Sequence, residues 1–380
     1  MSGTGSPVPR IAFDLTPLQN AHRYRGIGTY VRGLARRLAV QSNVPIEFWG
    51  WSGDVGMDSI PPPHRLVQLP RVPMPQYRGA WLFARLAMRL RKQRSRVQAV
   101  HITDPDALTR LGGHKVLATV YDLIPLKRRE QGERRRQLRG LIARSGYDSY
   151  LRELQLADML FAISEQTADD VSRLLGIPAS RIRVAAPGVD LPPSSGTHTD
   201  QARPYFLYLG GPNPNKNLGV LLDAFASRGE LSEQLLIGGH WLPKQVATLN
   251  RHLSARGLSA RVRYLGFVPP AEITGLMRGA TALVVPSLQE GFGLPVAEGL
   301  AAGAVVIHSR LPVLEETSLG SALTFDPNSA TELARCLLSA ARDSALAASL
   351  RARGQERAAA LTWDEAVTTT LAAYRSVLAA

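Results

Sequence analysis

One pattern restricts the fold more than any other. Short apolar runs alternate with stretches whose apolar residues recur at helical spacing, and the alternation comes in two blocks. In the first block, 10–14, 97–102, 116–121 and 159–163 read as strands buried on both faces. Between them Ile27, Tyr30, Val31, Leu34 and Leu38 mark one helix. Ser164 opens another, amphipathic from Thr167 to Leu175 and stopped by Gly176 and Pro178. The segment from Pro187 to Pro204, rich in Gly, Pro, Ser and Thr, reads as a linker. Beyond it, 205–209, 235–237, 262–265, 282–285 and 305–307 repeat the strand pattern. Two such blocks predict an α/β protein of two doubly wound, Rossmann-like domains facing across a cleft.

Composition agrees. With 380 residues, 45% apolar and 20% charged, the chain can bury two cores, which excludes disordered and fibrous classes. Cys336 is the single cysteine, so a disulfide framework and a cysteine-built zinc site are both excluded. His101, His114, His240 and His308 are scattered, with no metal-ligand spacing, and no metal is expected. No window of about 18 uncharged apolar residues is present, and Met1–Arg10 lacks the apolar stretch of a secretory signal. The expectation is a soluble cytoplasmic protein.

The net charge of +14 is uneven: residues 1–200 hold 29 Lys+Arg against 17 Asp+Glu, and residues 201–380 hold 16 against 14. A basic first half suits nucleic acid, an anionic membrane surface or a phosphorylated substrate. Two segments concentrate it, Arg85 to Arg96 after the apolar Trp81, Leu82 and Phe83, and Arg128 to Arg136. Each reads either as a solvated helix face or as a patch for an anionic membrane or acceptor.

The segment with the most chemistry runs from Pro286 to Gly303, PSLQEGFGLPVAEGLAAG. A strand feeds a glycine loop, and a helix starts near Pro295, where proline is favoured. Gly291 and Gly293 allow backbone amides to approach a ligand, and a helix N-terminus favours phosphate. Glu290 and Glu298 can each accept hydrogen bonds from vicinal hydroxyls, such as those of a sugar and a ribose.

This segment resembles the signature of the retaining nucleotide-sugar glycosyltransferases of the GT-B fold, glycosyltransferase family four, among which bacterial mannosyl- and rhamnosyltransferases are similar. The resemblance implies that Glu290 contacts the donor sugar, that Glu298 holds the ribose, and that the amides of Gly291, Phe292, Gly293 and Leu294 line sugar and diphosphate. Tyr205 to Leu218, with Gly211 in its glycine turn and Lys216 before its helix, is similar to the family's diphosphate-binding turn. A lysine there can neutralise the leaving group. Gly26 and Gly28 resemble the first-domain glycine loop, and 162–165 and 186–190 also match.

Tyr121 and Asp122 stand in a segment that usually carries histidine where Tyr121 is; the resemblance places both at the catalytic centre. Two further departures are Asn215, where a basic residue is common, and the Gly211-Pro212 pair, where an arginine is frequent. The implied organisation is an acceptor-binding domain over 1–195, a nucleotide-sugar domain over 196–360, and a terminal helix over 361–380 crossing back to the first domain.

The expected activity is transfer of a hexose, of mannose or rhamnose type, from a nucleoside diphosphate sugar to a glycan or lipid-linked acceptor. The donor is a substrate; no cofactor, metal or nucleic acid is expected, and contact with an anionic membrane would be peripheral. Three rivals stay open. One is a catalytically weak nucleotide-sugar-binding protein of the same fold, motivated by Tyr121. Another is a nucleic-acid-binding protein, which lacks aromatic residues interleaved with its basic runs. The third is a glycoside hydrolase using Glu290 and Glu298, whose placement around a glycine loop suits phosphate better than a scissile bond.

Overall fold

The computed structural model describes residues 11–24, 26–51, 65–69, 85–86, 89, 97–109, 113–130, 140–191, 203–227 and 231–379. They form two units, one of 1–188 with 363–380 and one of 189–362.

The first unit is built on seven parallel strands: β1 (Ile11–Asp14), β2 (Ile46–Trp51), β3 (Arg65–Leu69), β4 (Ala99–Ile102), β5 (Lys115–Val120), β6 (Met159–Ala162) and β7 (Ile182–Val184). Their order is β3-β2-β1-β4-β5-β6-β7. The chain therefore winds outward from β1 in one direction and returns to start at β4 in the other. Doubly wound sheets bind ligands at such a reversal, beyond the carboxyl ends of the strands. The helices are α1 (Gly26–Gln41), α2 (Ile124–Glu130), α3 (Gly140–Leu156) and α4 (Glu165–Leu175). Local chemistry sets the ends of α4: Ser164 Oγ accepts from Thr167 N at 3.0 Å, and Gly176 closes the helix at φ 65°.

The second unit has six parallel strands, β8 (Tyr205–Leu209), β9 (Gln234–Gly238), β10 (Val262–Gly266), β11 (Ala282–Val285), β12 (Val306–Ser309) and β13 (Leu323–Phe325). Their order is β10-β9-β8-β11-β12-β13, so the reversal falls between β8 and β11. Its helices are α5 (Leu218–Ala226), α6 (Pro243–Ala255), α7 (Pro270–Gly279), α8 (Leu294–Ala301), α9 (Pro312–Ser318), α10 (Ala330–Arg342) and α11 (Ser344–Ala360). Proline occupies the first turn of α6, α7, α8 and α9, where its missing N–H costs nothing. The sheet is covered on both faces. One core gathers Phe206, Leu221, Phe225, Ile237, Ile307 and Leu333; the other gathers Leu207, Leu236, Leu283, Val296, Leu300 and Leu314.

The last helix, α12 (Trp363–Ala379), packs on α1 within the first unit. A Cβ on Gly33 would lie 2.1 Å from the Trp363 ring, so only glycine permits this approach. Tyr374 of α12 reaches the sheet: its hydroxyl is 2.7 Å from His101 Nδ1, while His101 Nε2 is 2.8 Å from the Thr119 hydroxyl. Burial pushes His101 down to about 3, so the imidazole is neutral and serves as a core hydrogen-bonding group. His308 is likewise buried, pushed down to about 4, and bonded to Ser309 O and the Ser318 hydroxyl.

The expected strands correspond to β1, β4, β5, β6, β8, β9, β10, β11 and β12, within a few residues at their ends. The alternation missed β2, β3, β7 and β13. Glu47 and Gly50 interrupt β2, yet Glu47 is buried with its neighbours. The middle of the linker (192–202), the greater part of 85–96 and of 128–136, and Trp81 to Phe83 lie outside the described residues. Among the described residues no helix is long and apolar enough to cross a membrane.

Candidate functional site

The loops leaving β8 and β11 meet where the strand order of the second unit reverses. After β8 the chain makes a glycine turn at Gly210 and Gly211 and then a short helical turn, Pro214–Lys216. Asn213 caps that turn by accepting from Asn215 N at 3.0 Å. Two hydrogen bonds tie it to the loop after β11: Asn215 Nδ2 donates to Gln289 O at 3.1 Å, and Leu288 N donates to Asn215 O at 2.8 Å. Asn215, where a basic residue was expected, therefore joins the two loops.

This joining brings the two central candidates together. Lys216 Nζ lies 2.6 Å from Glu290 Oε1, and Ser287 Oγ donates to the same oxygen at 2.6 Å. The Glu290 side chain is 14% exposed and that of Lys216 31%, so the pair is shielded from solvent on most sides yet still open to it. A cation beside a hydroxyl-binding carboxylate can receive a diphosphate and a sugar at one place.

Three residues later the chain reaches Gly293 at φ 97°, the N-cap of α8, and a Cβ there would meet Leu314 at 2.4 Å. The left-handed backbone calls for glycine, and a side chain there would also have to displace the end of Leu314. Phe292 is buried in front of it. Glu298 is half-buried in α8, and burial pushes its carboxyl up to about 7. In the turn after β8, Gly211 has open space around its Cα, and the steric demand falls on Gly210, where a Cβ would meet the Tyr208 hydroxyl at 2.8 Å. Gly239 was not foreseen; a Cβ there would lie 2.2 Å from Gly210 O, so it lets the loop after β9 close onto the glycine turn.

Four candidates belong to the first unit. Gly26 and Gly28 lie in the first turn of α1 rather than in an open loop. A Cβ on Gly28 would be 2.5 Å from His22 O and 2.6 Å from Arg23 O, so this glycine lets α1 pack on the short turn Ala21–Tyr24. Asp122 Oδ1 accepts from Ile124 N at 3.0 Å at the start of α2. Tyr121 is buried, edge-on to Tyr30, and its hydroxyl donates to Thr103 O at 3.0 Å.

A second set of carboxylates stands at the reversal between β1 and β4. Asp14 accepts from Thr16 N, Thr16 Oγ1, Thr103 N and Asp104 N at 2.7–3.2 Å. Asp104 accepts from Asn20 Nδ2 at 2.8 Å and Asp106 N at 3.0 Å. His22, Asp104 and Asp106 each bring one donor atom within 4.8 Å of the others, a grouping that spacing along the chain did not suggest. The strand register explains it: Phe13 of β1 pairs with His101 of β4, so the loops after both strands emerge side by side.

Two family models match the chain, "Glycosyl transferases group 1" over residues 195–357 and "Glycosyltransferase Family 4" over residues 24–192. An O-antigen chain mannosyltransferase B of Escherichia coli is 27% identical over 237 residues, covering 58% of this chain and 61% of the relative. A D-inositol 3-phosphate glycosyltransferase 1 of Catenulispora acidiphila is 31% identical over 249 residues, covering 58% of each. The chain thus spans about three fifths of the length of these relatives.

Among solved structures, a sucrose-phosphate synthase from Thermosynechococcus elongatus has TM-score 0.79 at 20% identity, covering 98% of this chain and 99% of the other. Anabaena HepE in complex with UDP and glucose has TM-score 0.76 at 15% identity, covering 97% and 100%.

Proposed function

The chain belongs to the family-four-like glycosyltransferases of the GT-B fold, and from that membership we propose that it moves a hexose from a nucleoside diphosphate sugar to a glycan or lipid-linked acceptor with retention of configuration. The observation that carries this reading is the Lys216–Glu290 pair, seated between two glycine turns at the reversal of the second sheet. The mannosyltransferase relative supports a mannose- or rhamnose-type sugar, and the UDP complex of HepE supports a nucleoside diphosphate at this fold's donor site.

In the proposed reaction the acceptor oxygen bonds to the anomeric carbon as the bond from that carbon to the diphosphate oxygen breaks. The departing diphosphate takes the acceptor's proton, so no protein nucleophile is needed. Lys216 and the amides around Gly293 offset the charge growing on the diphosphate, while Glu290 holds sugar hydroxyls as positive character develops at carbon. Glu298 receives the ribose hydroxyls. The first unit is assigned the acceptor, no metal is given a role, and the place of action is the cytoplasm, with peripheral contact at an anionic membrane.

A thermal-shift series with nucleotide sugars tests the reading, because a ligand bound to the native state raises Tm. One nucleoside diphosphate hexose should raise Tm, and acceptor-dependent release of its diphosphate should follow. A donor that binds with no transfer to any acceptor favours the weak-binding alternative, which the engagement of the Tyr121 hydroxyl with Thr103 O also favours. A series without any shift counts against both.

A further inference from the structure

Gly293 presents a mechanical problem. At φ 97° and without a Cβ, it leaves the peptide between Phe292 and Gly293 free to rotate as far as its own stereochemistry is concerned. The direction of that peptide matters, because a trans peptide holds C=O and the following N–H on opposite sides. Whatever fixes the Phe292 carbonyl also aims the Gly293 N–H.

The carbonyl is held from α9. Thr317 is fully buried, and its Oγ1 lies 2.5 Å from Phe292 O and 3.0 Å from Val313 O. The hydroxyl's single proton is shared between the usual back-bond to Val313 O and the shorter contact to Phe292 O, which takes the larger part. The shorter contact leaves the helix and reaches a loop 25 positions away in the chain. One turn earlier on the same face, Leu314 fills the space that a Cβ of Gly293 would need. The helix is itself anchored: Arg357 of α11 donates through Nε to Thr317 O at 2.9 Å and through Nη2 to Glu316 O at 3.0 Å. The Phe292 carbonyl is thus drawn toward a braced helix, and the Gly293 N–H points away from it.

We infer that Thr317 is a positioning residue that fixes the Phe292–Gly293 peptide so that the Gly293 amide faces the diphosphate of the donor; this rests on the donor-site reading given above. Thr317 touches no substrate in this role. It acts through the carbonyl it binds, with Leu314 excluding the alternative packing and Arg357 holding α9 in register.

Thr317→Val keeps the volume and removes the hydroxyl, whereas Thr317→Ser keeps the hydroxyl. Calorimetric Kd values for UDP and GDP, donor KM and kcat, and Tm are measured for both variants and for Thr317→Ala. The valine and alanine variants are expected to bind the nucleoside diphosphate at least about fivefold more weakly, the worth of roughly one hydrogen bond. Donor KM should rise with it, and the serine variant should stay within about twofold of the unaltered protein. Lower Tm in the valine and alanine variants, with Kd, KM and kcat unchanged, would show a purely structural threonine and overturn the inference while leaving the donor site standing. If the unaltered protein binds neither diphosphate and turns over no nucleotide sugar, the donor-site reading falls and the inference falls with it.

Discussion

Lys216 Nζ and Glu290 Oε1 are 2.6 Å apart, although 74 positions separate them along the chain. Each is the other's partner, so a donor that engages both must share an existing ion pair. Lys216→Ala and Glu290→Gln are each expected to lower kcat/KM at least about tenfold, near 1.4 kcal/mol of transition-state stabilisation. The double variant should lose less than the product of the single losses, because either change already breaks the pair. Initial rates over a range of donor concentrations, which give kcat/KM, decide the matter. Independent, fully multiplicative losses would mean that the two side chains act separately.

Glu298 carries a pH signature. Burial raises its carboxyl to about 7, so below that pH it is largely protonated and offers hydroxyl groups a poorer acceptor. Donor affinity should therefore improve as pH rises from 6 to 8. Glu298→Gln removes the titrating group and should flatten that dependence while weakening the donor about tenfold, as expected for hydrogen bonds to a charged acceptor. Donor KM across this range, at fixed ionic strength, is the measurement. An unchanged slope in the glutamine variant would assign the pH dependence elsewhere.

Tyr121 is held where its ring and hydroxyl are both spoken for, against Tyr30 and on Thr103 O. Tyr121→Phe strands a buried carbonyl, and a loss of about 1 kcal/mol in unfolding free energy is expected. A part in donor use adds a kinetic loss of similar size, about 0.5–1.5 kcal/mol. Urea unfolding and donor kinetics on the same variant separate these effects. Lowered stability with unaltered kinetics would make the residue a structural tie between β5 and the loop after β4.

What could be read from the sequence follows from distance along the chain. β11, its glycine loop and α8 are contiguous, so strand, turn and helix start were legible together, and the corresponding turn after β8 was legible for the same reason. Apolar runs marked the central strands. β2 escaped because Glu47 and Gly50 break its run, and β13 because it is three residues long. Contacts made by register or by helix packing left no local trace. Nothing near Thr317 announces its bond to Phe292 O, and nothing near Asp14 announces Asp104. Asn215 read as a missing positive charge, yet its side chain makes the hydrogen bond that sets Lys216 beside Glu290.

The pairing of Asp14 with Asp104 carries a prediction about stability. Asp14 accepts hydrogen bonds from Thr16, Thr103 and Asp104, which favour its charged form, although burial still raises it. Asp104 is pushed well above the usual carboxylate range by burial first, and then by the charges of Asp14 and Asp106. The unfolded chain releases this proton near pH 4, whereas the folded protein retains it to a higher pH. Between the two values the folded state binds more protons than the unfolded state, so the stability contributed by Asp104 falls as pH rises.

Asp104→Asn is neutral throughout, and its amide oxygen can accept from Asn20 in place of the carboxylate. Relative to the unaltered protein, the variant should gain at least about 1 kcal/mol on going from pH 5 to pH 8, since each pH unit within the window is worth about 1.4 kcal/mol. Urea unfolding of both proteins at both pH values measures the difference. If the curves for Asp104→Asn and the unaltered protein stay parallel, Asp104 is ionised in the folded state across that range. The Thr16 hydroxyl, 3.2 Å from Asp104 Oδ2, would then have to serve both carboxylates with its single proton.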